Sequence, residues 1–404
     1  MKLRLREFWK PTAGNKQPLY LELISFLLVF GLGILWWWAE IFRVVWQPDG
    51  NNYQLAADLV RQGRSPYEHP LYPYPPTIAV IGAWITGLWG SEAFRLIFRI
   101  ANLLGGCAAL WGSWLLSRWP WLLRLGAAGL GIFLAPTLAN GIISDNVSTL
   151  ASGTAIVGLV LWQRIPLVAG IMLGFSLALK PIAIIGFVLL ALHRPSLPQR
   201  KQWFASGIAV ITLAILLSIA PQWLLSGLSD PNVKATASDW ARDYINVSLC
   251  RVLAFFGIKL SPYVPMAIIL FIGILYVRRR SLNEIQILCV ACTASLLALP
   301  IVWRHTLLLA LPIQCMALVM AVQRLRQGWK GSQKIEVSES RLRGLSQLLL
   351  VIAGCITIFE ADLYSVLVPE WPYWLHGVTL LIPIAVLILL TGYVVRAEDA
   401  SASE

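Results

Sequence analysis

"PLVAGIMLGFSLALKPIAIIGFVLLALHR", residues 166–194, is apolar along almost all of its length, with Lys180 and Pro181 at its middle. Proline disfavours helix at the residue before it, and a lysine avoids the bilayer centre. The stretch is therefore expected to be two short helices meeting at Lys180-Pro181 on the outer side of a membrane. That reading sets the orientation of the segments that follow it.

The membrane itself follows from composition. The chain has 404 residues, 58% of them hydrophobic and only 13% charged, with a mean hydropathy of +0.70. A soluble globule of this size needs more polar surface. Apolar stretches long enough to cross hydrocarbon at about 1.5 Å per residue recur from 21 to 395, so one transmembrane domain over 1–404 is expected. A net charge of +12 raises nucleic acid as a partner. The Lys and Arg sit instead in short clusters between apolar segments, "MKLRLREFWK", "RPSLPQRK", "YVRRRS" and "QRLRQGWKGSQK". That is the positive-inside pattern, and no nucleic-acid partner is expected.

The 19 Trp gather near segment ends, as an interfacial belt does. "CVAC", 289–292, has redox or metal spacing, yet it lies inside an expected span, where cysteine acts as a small packing residue. The segment 21–45 follows a basic, cytoplasmic 1–20. It is too long for a cleaved signal peptide and lacks the small-residue cleavage pattern, so it is the first span.

Counting every apolar run as a span puts the basic turns "SRWPWLLR" (117–124) and "QRIP" (163–166) outside. The conflict disappears if 77–89, about 13 residues and short for a crossing, is a re-entrant or interfacial helix on the outer face. The expected spans are then 21–45, 92–117, 123–139, 147–162, 165–179, 181–193, 203–225, 262–278, 285–302, 304–323, 345–367 and 372–395. Both termini are inside, and 324–344 is a cytoplasmic loop. The outer face gathers 46–91, 140–146, the Lys180 corner and 226–261, with the Trp303-Arg304-His305 turn beside them.

The first outer loop opens "QPDGNNYQLAADLVRQGRSPYEHPLYPYPPTIAV", residues 47–80. Pro48 is read as a rigid stop and Asp49-Gly50 as turn chemistry. Asn52, Tyr53, Ala56, Ala57, Val60 and Arg61 then recur at helical spacing, which indicates a short helix along the membrane, closed by Gly63. Prolines stiffen the run that follows. Tyr72 and Tyr74 can stack on sugar faces or sit in the headgroup layer.

Each polar residue of this face has an ordinary reading beside a chemical one. Asp49, Asp145 and Asn146 are helix caps or members of a site. Arg251 is a snorkelling interfacial arginine or an anion ligand. Lys180 is a helix-end lysine or a second such ligand, and His305 is hydrogen-bonded structure or chemistry. An anionic lipid phosphate would need Arg or Lys donors here, and Arg251, Lys180 and Arg304 supply them. A carboxylate beside them could take a proton from a hydroxyl.

"DGNNYQLAADLVRQGRSPY" and "YPYPP", leading into an apolar run, resemble the family 87 glycosyltransferases, the polyprenol-phosphate-mannose-dependent alpha-mannosyltransferase type of the GT-C superfamily. In order along the chain, "LANGIISDNVSTLASGTAIVG" is similar to the family's polar turn between helices. "AGIMLGFSLALKPIAIIGFVLLAL" resembles its helix-Lys-Pro-helix segment. "YINVSLCRVL" resembles its Asn-x-Ser-Leu...Arg motif, and "VWRHTLLLALP" its Trp-x-His segment. The likeness spans about 20–320. It departs at Asp145, where the family usually has glutamine, and at Arg304, where a second histidine often stands.

The resemblance implies an all-α, polytopic GT-C fold of about twelve transmembrane helices, with short outer-face juxtamembrane helices in the first outer loop. It implies an enzyme in the plasma membrane, with its site on the outer face, that passes a sugar, expected to be mannose, from a polyprenyl-phosphate donor to a lipid or glycan acceptor with inversion. Asp49 matches the catalytic aspartate. Arg251, Lys180, His305 and Arg304 would hold the donor phosphate, and Tyr53, Tyr67, Tyr74, Asn146, Asn246 and Trp303 would line the substrate. Without an Asp-x-Asp motif, no cofactor or metal is expected, though some relatives in the superfamily use a divalent ion. Two other classes stay open: a multi-pass transporter or flippase, and a non-catalytic assembly partner.

Overall fold

The computed structural model describes residues 19–117, 119–162, 164–193, 199–223, 227, 230–231, 248–258, 261, 263–302, 304–330, 334–359 and 373–403. Their regular structure is all helix, with no strand among them.

The chain enters through α1 (Leu19–Trp36) and α2 (Trp38–Ile41). It then crosses an irregular link to α3 (Pro48–Arg61), a 3-10 turn at Pro66–Glu68 and α4 (Thr77–Trp89). α5 (Ser91–Trp114), α6 (Trp121–Leu134), α7 (Pro136–Ile143) and α8 (Ser148–Leu161) follow. Next come α9 (Pro166–Leu179), α10 (Ile184–Leu192), α11 (Gln199–Leu217), α12 (Leu249–Phe255), α13 (Tyr263–Arg279) and α14 (Glu284–Ala298). A 3-10 turn at Arg304–Ala310 leads into α15 (Leu311–Lys330), and α16 (Lys334–Phe359) and α17 (Tyr373–Ser403) close the chain.

Two expected helix boundaries are met. The apolar run after "YPYPP" is the 13-residue α4. The 166–194 stretch breaks where proline demands it: Lys180 caps α9 in an extended conformation, φ −160° and ψ 122°.

Other boundaries move. The first apolar run breaks at Trp37 and its helical part ends at Ile41 and not at 45, and 42–47 run as a link in which the Arg43 and Val45 carbonyls accept from Arg99 of α5. Pro48 does not stop a helix but starts one, as the N1 residue of α3, where its missing N–H costs nothing. Asp49-Gly50 is thus helical and not a turn. The 324–344 stretch, expected as a loop, is largely taken up by the ends of α15 and α16. Its Lys, Arg, Gln, Glu and Leu are good helix formers, and polarity alone was the signal for a loop.

Among the described residues three helices are long and apolar enough to cross a membrane: Ser91–Trp114, His305–Arg326 and Leu381–Glu398. Trp121–Leu134 with Thr137–Ile143, bent by 54°, makes a fourth if the pair is one span. Shorter apolar helices of 10–17 residues, such as Thr77–Trp89, Ser148–Leu161 and Pro166–Leu179, supply much of the rest, against about twelve spans expected. Proline and glycine break the apolar runs into pieces that fall short of the ~30 Å hydrocarbon core. Large apolar side chains stand bare on the outside, including Leu35 at 76%, Trp84 at 73% and Leu389 at 70% exposure, a surface compatible with a membrane protein.

The helices are held together by close backbone approach. On the α5–α8 seam a Cβ at Gly153 would lie 1.8 Å from the Gly105 carbonyl oxygen. On the α9–α11 seam, Cβ atoms at Gly170 and Gly174 would lie 2.6 and 2.5 Å from the carbonyls of Ala205 and Ala209. Gly170-xxx-Gly174 faces Ala205-xxx-Ala209, small-residue packing suited to helices without a hydrophobic driving force between them. Arg124, fully buried on α6, donates to Glu22 of α1 at 2.5 Å and lies 5.6 Å from the Trp111 ring.

Gly153→Ala is expected to destabilise the protein by about 1–3 kcal/mol, because α5 and α8 must move apart to admit one methyl. Gly126→Ala, facing open space, is the control. Thermal unfolding in detergent measures both, and equal midpoints would refute the seam.

All six cysteines are free thiols. Cys289 and Cys292 are fully buried on α14, as packing residues would be.

Candidate functional site

Asp49 sits in the first turn of α3, the favourable end of a helix for a carboxylate. It is not the N-cap; Gln47 holds that position, without a side-chain cap bond. The capping explanation therefore fails, and the Asp49 carboxylate has a distant partner instead. Asn146 Nδ2 donates to its Oδ2 at 2.7 Å.

Asn146 comes from the turn between α7 and α8. Its own Oδ1 accepts from the Ser148 amide at 2.9 Å, which fixes the amide with its nitrogen toward Asp49. The turn closes α7 with Asn146 N–H on the Gly141 carbonyl and Asp145 N–H on Ile142, a Schellman arrangement. Asp145 fills the left-handed position usually given to glycine, with φ 57°.

Lys180 arrives from the α9–α10 corner. Its Nζ donates to Ser148 Oγ at 2.7 Å and lies 5.2 Å from the centre of the Tyr74 ring. Burial lowers Lys180 to about 8, an effect that Asp49 opposes. Burial also raises the Asp49 carboxyl above its ordinary value; the Asn146 bond and Lys180 pull it back, and Asp145 adds to the rise. The two groups answer one another across a partly buried space. A half-buried carboxylate whose proton is held more tightly than usual is suited to accept one from a neutral hydroxyl.

The tyrosines do not face outward. Tyr53 and Tyr72 are fully buried, Tyr67 and Tyr74 nearly so. Their rings pack on one another, with Tyr53 5.2 Å from Tyr74 and Tyr72 5.6 Å from Tyr74. Tyr72 OH donates to the Pro75 carbonyl at 2.8 Å and accepts from the Ala79 amide at 3.2 Å, so it caps α4. Tyr67 OH donates to the Tyr74 carbonyl at 3.1 Å. Tyr72 thus neither stacks at the surface nor enters the headgroup layer; the "YPYPP" run is the core of the first loop. Tyr53 and Tyr74 reach the site from that core: Tyr53 OH accepts from the Val147 amide at 3.4 Å, the Tyr74 ring lies beside Lys180, and both stand within electrostatic reach of Asp49.

His305, buried in the 3-10 turn, places Nδ1 3.3 Å from Asn140 Oδ1 and stands within electrostatic reach of Lys180. Asp49, Asn146, Tyr53, Tyr74, Lys180 and His305 are therefore brought to one place. Arg251 lies in the first turn of α12, where Ser248 Oγ accepts from its amide and donates to the Pro300 carbonyl. That bond ties α12 to the link before His305. Trp303 and Asn246 lie outside the described residues, as does the side chain of Arg304. Among the described residues no three His, Cys, Asp or Glu gather as metal ligands.

Two contributors escaped the sequence reading. Ser148 holds the Lys180 ammonium, and Arg99 forms a buried ion pair with Asp145. Arg95 and Arg99, four apart in the otherwise apolar "FRLIFRIANLL", were the available signal: an arginine inside such a helix needs a partner. No protein-family model, curated protein or solved structure matches the chain.

Proposed function

We propose that the protein is a membrane glycosyltransferase of the family 87, GT-C type, with about twelve membrane segments, several of them short. It would work at the outer face of the plasma membrane and move a sugar, taken to be mannose, from a polyprenyl-phosphate donor to a lipid or glycan acceptor. The observation that carries the reading is the meeting of Asp49, Asn146 and Lys180. They come from three separate motifs of the sequence, each quoted for its family likeness, and form one carboxylate–amide–ammonium group.

In this reading the Asp49 carboxylate takes the proton of the acceptor hydroxyl as that oxygen attacks the anomeric carbon. The bond from that carbon to the phosphate oxygen breaks on the opposite face, so the configuration inverts. Polyprenyl phosphate leaves with the electron pair, and Lys180, with Arg251 and Arg304 as further candidates, offsets its charge. His305 and Asn140 would hold the sugar or the phosphate.

The test is transfer by purified protein in lipid from radiolabelled polyprenyl-phosphate mannose to a membrane-lipid extract. Label in a new glycolipid that depends on Asp49 supports the reading. Movement of intact donor between leaflets without covalent transfer would point to a flippase. For orientation, a cysteine beside Lys180 is expected to react with an impermeant reagent added outside, and one beside Gln163 only from inside; the reverse pattern overturns the topology.

A further inference from the structure

We propose that Arg99 and Asp145 form a clamp that sets the position of Asp49, acting as positioning residues for the proton that Asp49 handles. The catalytic part of this statement rests on the transferase reading; the geometric part does not.

Helical hydrogen bonds reach the 42–47 link only at its ends, from the Phe42 and Arg43 amides back to Trp38 and Glu40 and from the Asn51 amide to the Gln47 carbonyl, yet it delivers the chain to Asp49. Arg99, on α5, reaches it with a side chain only 2% exposed. Its Nη1 donates to the Arg43 carbonyl at 2.5 Å and its Nη2 to the Val45 carbonyl at 2.8 Å. The same guanidinium grips Asp145 in a fork, Nε to Oδ1 at 2.7 Å and Nη2 to Oδ2 at 2.8 Å. Asp145 Oδ2 then accepts from the Gln47 amide at 3.0 Å, at the N-cap of the Asp49 helix. One ion pair thus holds the link at three points, ending two residues before Asp49.

Two further features show how tightly the parts are set. A Cβ at Gly50 would lie 2.7 Å from Asp145 Cβ and 2.2 Å from the Trp46 ring, so α3 can start here only with glycine next to Asp49. Asp145 is a non-glycine residue at φ 57°, a conformation retained because its carboxylate is used. Its neighbour Asn146 binds the Asp49 carboxylate directly. The same turn therefore fixes the helix entry through Asp145 and the carboxylate through Asn146. A buried ion pair that only fills space can often be replaced by apolar residues. This one cannot, because the carbonyls of 43 and 45 and the amide of 47 would lose their partners.

The charges facing Asp49 are Lys180 from the α9–α10 corner and Asp145 from the α7–α8 turn, with Tyr53 and Tyr74 as titratable neighbours. Arg99→Gln leaves Asp145 uncompensated, so the acid limb of the transfer-rate profile moves to higher pH. Asp145→Asn tolerates the left-handed backbone and can still accept from Gln47, but it leaves Arg99 uncompensated, so the limb moves to lower pH. Gly50→Ala keeps both charges and pushes the helix start away, so kcat falls without movement of the limb. A residue with a merely structural part would not produce opposite shifts.

The experiment uses the full chain in lipid nanodiscs and reads kcat, KM for the donor, the pH profile and amide hydrogen exchange over 43–53. Expected are kcat losses of about 10- to 100-fold with little change in KM, as for a misplaced reacting group, and faster exchange over 43–53. Arg99→Lys, which keeps the charge but not the fork, serves if Arg99→Gln does not fold. Unchanged exchange over 43–53 in folded variants, or acid limbs that do not move, would overturn the clamp. If the unmodified protein transfers no sugar, the exchange measurement still decides the clamp, and the transferase reading falls separately.

Discussion

Asp49→Asn is expected to lower sugar transfer about 10³-fold at the parental optimum, within the 10²–10⁴ range for loss of a general base, while the protein folds and binds donor as before. Asparagine keeps the shape of the side chain. Its Oδ1 can accept the Asn146 Nδ2 hydrogen that Asp49 now accepts at 2.7 Å. Pro48 still starts the helix, and Arg99 and Asp145 still hold the link before it. What is lost is the proton acceptor. The result is therefore expected in kcat, with KM for the donor little changed. The pH profile gives an independent reading. Burial raises the Asp49 carboxyl more than Asn146 and Lys180 lower it. The base form is then lost as pH falls through a value above the ordinary carboxylate range, so the acid limb expected of the unmodified protein lies on that higher side. Transfer by Asp49→Asn protein at the parental rate would remove Asp49 from the chemistry.

What the sequence revealed and what it hid divide along one line. Thr77–Trp89 and the Lys180 corner were legible because proline writes local rules: a fixed φ, a missing donor and an extended residue before it. Gly63 was legible through an equally local rule, glycine's ease at positive φ, since it closes α3 at φ 75° with the Arg64 amide on the Leu59 carbonyl. Asp49 was read as held by a stop at the end of the first helix, whereas it opens the next one, and its surroundings were hidden because its partner stands 97 residues away. Asp145 and Arg99 are 46 residues apart, and each alone looks like a cap or a stray charge. The surface reading of Tyr72 and Tyr74 failed in the same way. Their amphipathic rings suit a surface, and only the packing of four tyrosines together shows that they form the loop's core. Helix lengths were overestimated because hydropathy does not register a kink, as at Trp37 or between α6 and α7, where the apolar character continues across the break.

Lys180→Met is expected to lower transfer about 10²- to 10³-fold near neutral pH, the loss usual for one charge-stabilising donor, and to abolish the alkaline limb of the profile. Methionine fills much of the same volume, so the Pro181 corner and the packing on Tyr74 survive, while the ammonium on Ser148 Oγ disappears. The sign of the pH effect follows from the direction of the shift. Burial lowers Lys180 to about 8, with Asp49 opposing it. As pH rises through that value the cation is lost, and with it the charge that would receive the departing phosphate. The parental profile should therefore fall above about 8, between a raised carboxyl on one side and a lowered ammonium on the other. Lys180→Arg keeps its charge at every accessible pH. It should hold part of the activity with no alkaline limb, limited by a fork that does not match the single Ser148 hydroxyl. An alkaline limb that persists in Lys180→Met protein would assign it to another group and leave Lys180 as the brace of its corner. Loss of the limb together with loss of rate would place the ammonium opposite Asp49 in the reaction, on the leaving-group side of the sugar.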